Sequence, residues 1–128
     1  MERRKQKRHI VKNGVIAAVI RPNPNDNYIY WGEIINVSND GLTFVYTDRN
    51  IESKEPSELD IVIFKDIAMF TYLKNIPFET VWISNVASNP SPSPSKTKQR
   101  GVQFGEMAPR QIALLDNFIQ KYALDRIE

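Results

Sequence analysis

Polar and apolar positions alternate with a period of two in several short runs of this chain, and repeat with a helical period only near its end. Val15 to Ile20 is a short, almost wholly apolar run and predicts a strand buried on both faces or nearly so. Arg21 to Asn27, with two prolines and three asparagines, predicts a loop. Tyr28 to Ile35 is rich in aromatic and β-branched residues and predicts a second strand. Trp31, Glu33 and Ile35 fall on one face of it, Tyr30, Gly32 and Ile34 on the other. Leu42, Phe44 and Tyr46 alternate with Thr43 and Val45, which predicts a third strand with one face inward.

Thr47 to Ser57 is polar and predicts a loop. Leu59 to Phe64 predicts the fourth strand, and Phe78 to Val86 another. Between them, Asp66 to Asn75 reads equally as a strand or an irregular crossing. Asn89 to Lys98 is a Pro/Ser repeat that neither donates regularly nor packs, so it predicts an extended, exposed loop. Gln99 to Phe104 returns as the last strand. Residues 108–123 predict a helix, with Pro109 in the first turn where its missing N–H costs nothing. Ile112, Leu115, Phe118, Ile119 and Tyr122 form its apolar stripe, which reads as core packing. Several antiparallel strands followed by one helix predict an all-β fold, a small β-barrel with a C-terminal α-helix.

Length and charge sharpen this picture. A chain of 128 residues, 41% of them hydrophobic, is expected to form a single domain. Its expected parts are a flexible basic arm over 1–12, a barrel over 13–104 with an exposed loop at 89–98, and a helix over 108–123. No cysteine is present, so there is no disulfide or thiolate chemistry to consider. With one histidine, His9, and no cysteine, no transition-metal site is expected. No apolar run reaches the ~20 residues of a membrane-spanning helix, and none has the form of a signal core. The expectation is a cytoplasmic protein without membrane insertion.

The net charge of +2 hides an asymmetry. Arg3, Arg4, Lys5, Lys7, Arg8 and Lys12 face only Glu2 in the first twelve residues, a local excess of about five positive charges. The remaining chain then carries about three negative charges. A nucleic-acid surface would spread cations over the folded body, so nucleic acid is not the expected partner. The carboxylates are scattered and no nucleophile motif or Gly-rich phosphate loop appears, so no enzyme activity is expected.

Two polar stretches stand out. Asn36-Val37-Ser38-Asn39-Asp40-Gly41 joins two predicted strands with turn residues. Arg3-Arg4-Lys5-Gln6-Lys7-Arg8 lies far from it in sequence. The first reads as the floor of an anion site and the second as its lid. Together they resemble the PilZ domain family, whose hallmark is Arg-x-x-x-Arg in an N-terminal loop followed by Asp/Asn-x-Ser-x-x-Gly on the sheet. Arg4 and Arg8 match the first motif; Asn36, Ser38 and Gly41 match the second. The likeness continues through Arg100-Gly101-Val102-Gln103-Phe104 and the terminal helix, and so spans essentially the whole chain.

The resemblance implies a six-stranded antiparallel barrel with a C-terminal helix, and cyclic di-GMP as ligand, with no other cofactor. It implies that Arg4 and Arg8 hold phosphate and guanine while Asn36, Ser38 and Gly41 meet a guanine from the barrel. The residue types suit that chemistry. An arginine fork matches a phosphate or the O6/N7 edge of guanine, and its flat face stacks on a purine. Gly41 would permit a positive φ and a close ligand approach. Asn36 in place of the more frequent Asp keeps an acceptor oxygen but loses the charge. Arg3 is either a solvated charge or a clamp for a second, stacked ligand molecule. Trp31 and Trp82 read as core or interface residues. The expected function is a receptor that signals to a downstream protein partner; the alternative is an interaction adaptor of the same fold that binds no nucleotide.

Overall fold

A computed structural model describes residues 8–12, 14–20, 28–47, 58–65, 67–85 and 97–124, with backbone alone at 20 and 28–30. The predicted loops at 21–27 and 48–57, and 89–96 of the Pro/Ser stretch, lie outside these residues, as do Arg3 and Arg4. Seven strands and one helix are present among the described residues: β1 (His9–Ile10), β2 (Val15–Ile20), β3 (Tyr28–Ser38), β4 (Gly41–Thr47), β5 (Glu58–Lys65), β6 (Ala68–Asn85), β7 (Thr97–Phe104) and α1 (Pro109–Tyr122).

The strands run in the order β3–β2–β5–β6–β7–β4, and β4 pairs again with β3, which closes the sheet. Every pairing is antiparallel. This is the six-stranded barrel expected from the sequence, with the two-residue β1 added beside the end of β3. Alternate side chains fill the interior: Val15, Ala17 and Val19 from β2, Leu42, Phe44 and Tyr46 from β4, Leu59, Ile61 and Ile63 from β5. Leu115 and Phe118 of α1 join the same cluster. Each fully buried Val, Leu, Ile or Phe among them contributes about 1.5–3 kcal/mol relative to exposure. Register shifts in the β2–β3, β3–β4, β5–β6 and β6–β7 pairings supply the local bends that closure requires.

The ambiguous stretch before Phe78 is strand. β6 is one bent strand of 18 residues whose first half pairs with β5 and whose second half pairs with β7. The bend falls at Asn75, which holds φ at 51°. Asp60 on β5 is buried, and its carboxylate accepts the Asn75 N–H at 2.9 Å. From α1, the Gln111 amide donates to the carbonyls of Lys74 (2.9 Å) and Asn75 (3.1 Å) and accepts the Ala108 N–H (2.9 Å). One side chain thus caps the helix and docks it on the bend.

Two expectations need correction. The basic arm does not extend to residue 12: His9–Ile10 form β1 and Val11 is buried in the core. The Val11 N–H donates to Ile35 O, the Lys12 N–H to Tyr122 O, and the Leu124 N–H to Ile10 O. An apolar residue among charges is drawn into the gap between β3 and the end of α1. Ile112, placed on the core stripe, is 45% exposed. The neighbouring Gln111 is committed to β6, and a step of one residue turns Ile112 roughly 100° away from it.

Candidate functional site

Ser38 and Gly41 pair across a two-residue turn, Asn39–Asp40, that joins β3 to β4. The Ser38 hydroxyl is fully buried. It donates to the Asp40 carboxylate at 2.5 Å and accepts the Asp40 N–H at 3.2 Å. Its single proton is thereby used, and the carbonyl of Gly41 at 3.5 Å is a contact rather than a second bond. Asn39 donates to Asp116 of α1 at 2.7 Å, and the Phe104 N–H donates to Asp40 O at 2.9 Å. The turn is therefore held by its own serine, by the helix and by the end of β7.

The glycine of the motif is required for a different reason than a positive φ. A Cβ on Gly41 would lie 2.2 Å from the carbonyl oxygen of Val102 on the facing strand. The backbones of β4 and β7 approach too closely there for any side chain. Among the described glycines only Gly14 has a positive φ.

The β1–β3 pairing sets His9 opposite Val37 and Ile10 opposite Asn36. That register brings Arg8 to the motif, where its Nη1 donates to Asn36 Oδ1 at 2.9 Å. Two residues 28 positions apart in sequence are so joined. Arg8 and Asp40 also line one cleft of about 370 Å³, together with Val81, Trp82, Gly101, Val102 and Gln103. A volume of this order falls in the ordinary range for small-molecule sites.

The opposite wall was not read from the sequence as a site. Trp82 lies across from Gly101, beside the register shift that follows Thr80. A Cβ on Gly101 would lie 2.3 Å from Trp82 Nε1, so the indole rests directly on the glycine backbone. The indole is 40% exposed and faces the cleft. The only sequence signal for this was the pairing of an outward-facing tryptophan with a glycine on a strand, and only the β6–β7 register brings the two together. Trp31 lines a separate, shallower hollow with Ile16, Glu33 and Thr47. Arg100, next to Gly101, points the other way. It is buried inside the barrel, donating to Thr80 Oγ1 (3.0 Å) and the Tyr46 hydroxyl (3.2 Å), with its guanidinium 5.2 Å from the Tyr46 ring centre.

The cleft thus combines a guanidinium, a carboxylate and an aromatic face. No set of three or more His, Cys, Asp or Glu side chains that could hold a metal ion occurs among the described residues.

No model of a known protein family matches the sequence, and no curated protein matches it either. Solved structures do match the fold. The PilZ domain of YcgR from Escherichia coli, solved with c-di-GMP, superposes with a TM-score of 0.63 over 94% of this chain and 91% of that one, at 10% identity. The chain has the fold of a PilZ domain. The K. pneumonia MrkH–c-di-GMP complex matches at a TM-score of 0.59 and 14% identity, again over 94% of this chain but 52% of MrkH. A longer YcgR chain, in complex with c-di-GMP, is covered to 46%. The present PilZ fold therefore spans about half the length of those two proteins. No helix among the described residues is long and apolar enough to cross a membrane.

Proposed function

We propose that this protein is a cyclic di-GMP receptor, binding the nucleotide between its N-terminal arginines and the outer wall of the barrel. The observation that carries the reading is the Arg8–Asn36 hydrogen bond at the mouth of a cleft that also holds Asp40 and Trp82. The two arginines of the arm, Arg4 and Arg8, grip phosphate and guanine edge. Asn36 orients Arg8. Trp82 offers a stacking face for a purine, and the Asp40 carboxylate an acceptor for guanine N–H donors. Ser38 acts one step back, holding Asp40 in place, and Gly41 keeps β4 against β7. Arg3 is the residue to clamp a second, stacked ligand. The superposed YcgR and MrkH structures, both solved with c-di-GMP, support the ligand class.

Ordering a free arm costs roughly 1–2 kcal/mol for each backbone residue fixed. Binding that fixes the arm on the barrel would create a surface for a downstream protein. Among the described residues, β1 and Lys12 already link the root of the arm to the end of α1.

Titration calorimetry of cyclic di-GMP into the full chain tests this, beside Arg8→Ala and Ser38→Ala. Loss of one partner of a desolvated charged contact costs about 2–5 kcal/mol, so Arg8→Ala is expected to weaken binding roughly 30-fold or more. Ser38→Ala weakens it as well, whereas a protein binding nucleic acid through its basic arm alone would be indifferent to Ser38. Two ligands per chain would support the role of Arg3. No binding by calorimetry and by a second method would leave an adaptor of this fold that takes no nucleotide.

A further inference from the structure

The hairpin joining β5 to β6 carries four apolar side chains into solvent. Phe64 is 51% exposed, Met69 49%, Phe70 46%, and Ile67 in the turn 95%. Phe64 and Met69 face each other across the hairpin and share one face. Phe70, the next residue, is on the opposite face, and Ile67 caps the tip. The tip is therefore apolar on both faces and at its end. A protein groove would need only one such face; a fluid apolar medium accepts all three.

The charges around the tip decide between occupants. Lys65 follows Phe64 and is exposed. The Phe64 N–H donates to Gly14 O, which brings the chain segment carrying the exposed Lys12 alongside. The Lys12 N–H in turn donates to Tyr122 O, next to the exposed Lys121. Asp66, which lies outside the described residues, follows Lys65 in sequence and carries the opposite charge. A second copy of the chain meeting the tip about a two-fold axis would set the same lysines against each other. An anionic surface would instead be complementary to them.

We propose that the β5–β6 tip docks this protein peripherally on a bilayer bearing anionic headgroups. Ile67, Phe64, Met69 and Phe70 enter the boundary between headgroups and acyl chains, while Lys12, Lys65 and Lys121 meet the headgroups. The arrangement is that of an interfacial anchor, in which shallow apolar burial and electrostatic attraction act together. Exposed apolar patches on otherwise polar proteins mark such interaction surfaces. The inference stands on the hairpin and the lysines named beside it, and does not depend on nucleotide binding.

Flotation of the full chain with vesicles of phosphatidylcholine, with and without phosphatidylglycerol, tests it. Binding is expected to the anionic vesicles, to weaken about tenfold or more in Ile67→Glu, and to fall with added salt. Ile67 is almost fully exposed, so this substitution leaves the fold intact, which circular dichroism checks. Absence of vesicle binding overturns the proposal. Equal binding by Ile67→Glu does so too, because it would assign the affinity to the basic arm. Self-association that Ile67→Glu abolishes, without vesicle binding, would make the tip a contact between copies and overturn it likewise.

Discussion

A methyl group added at Gly101 would meet Trp82 Nε1 at 2.3 Å, so the indole cannot keep its place over an alanine. Gly101→Ala is therefore expected to shift the tryptophan emission and to weaken cyclic di-GMP binding by about 1–3 kcal/mol, the scale of one base–aromatic stack. Unchanged emission and affinity together would remove Trp82 from the site. Tyr72 poses a separate question of charge. It packs edge-on against Phe118 (5.8 Å) and Tyr122 (6.0 Å). Burial first, and the neighbouring Tyr122 second, raise its phenol above the ordinary 10.0. The folded state then holds this proton more firmly than the unfolded chain. Its contribution is intact below pH 10.0 and is lost as pH rises through the folded-state value. Urea unfolding above pH 10.0 is expected to show a smaller decline with pH for Tyr72→Phe than for the native chain.

Strand β6 is the element on which the others converge, because it serves two partners and carries the dock for α1. Its bend relies on a buried carboxylate: Asp60 accepts the N–H of Asn75, whose φ is positive. Asp60→Ala leaves that donor without its partner, at a cost of about 1–3 kcal/mol. Denaturant unfolding should show this loss. An unchanged midpoint would mean that the bend is set by packing alone. The sequence left this stretch undecided for a physical reason. Met69 to Leu73 lacks clean alternation, since the shift in register between Ile61 and Val62 carries Tyr72 toward the helix and leaves Leu73 in the core. No pattern of period two survives such a bulge. Period-two patterning did reveal β3 and β4, where the inward positions Ile34, Leu42, Phe44 and Tyr46 are all buried.

For the molecule as a whole, closure of the sheet makes the cleft. The β3–β4 turn, the second half of β6 and the end of β7 are distant in sequence, and the pairings β4–β7 and β6–β7 set them side by side. Arg8 arrives by a third route, the short pairing of β1 with β3. The same closure leaves the β5–β6 tip projecting from the barrel, so the proposed nucleotide cleft and the proposed lipid-facing tip occupy different parts of one small fold. Competition between cyclic di-GMP and vesicles is thus not required by geometry at the tip itself.

The sequence by itself determined the faces of β3 and β4, the terminal helix with its proline start, the motif residues that bound the turn, and the absence of thiol chemistry. These depend on local periodicity and residue chemistry, which neighbours along the chain suffice to define. The tertiary structure decided the rest. It assigned Ser38 to holding Asp40, gave Gly41 the task of admitting the Val102 carbonyl, turned Trp82 onto Gly101, and drew Val11 out of the basic arm into the core. Each of these outcomes depends on which strands become neighbours and in what register. That is fixed by closing the barrel around its core, and no local pattern carries it.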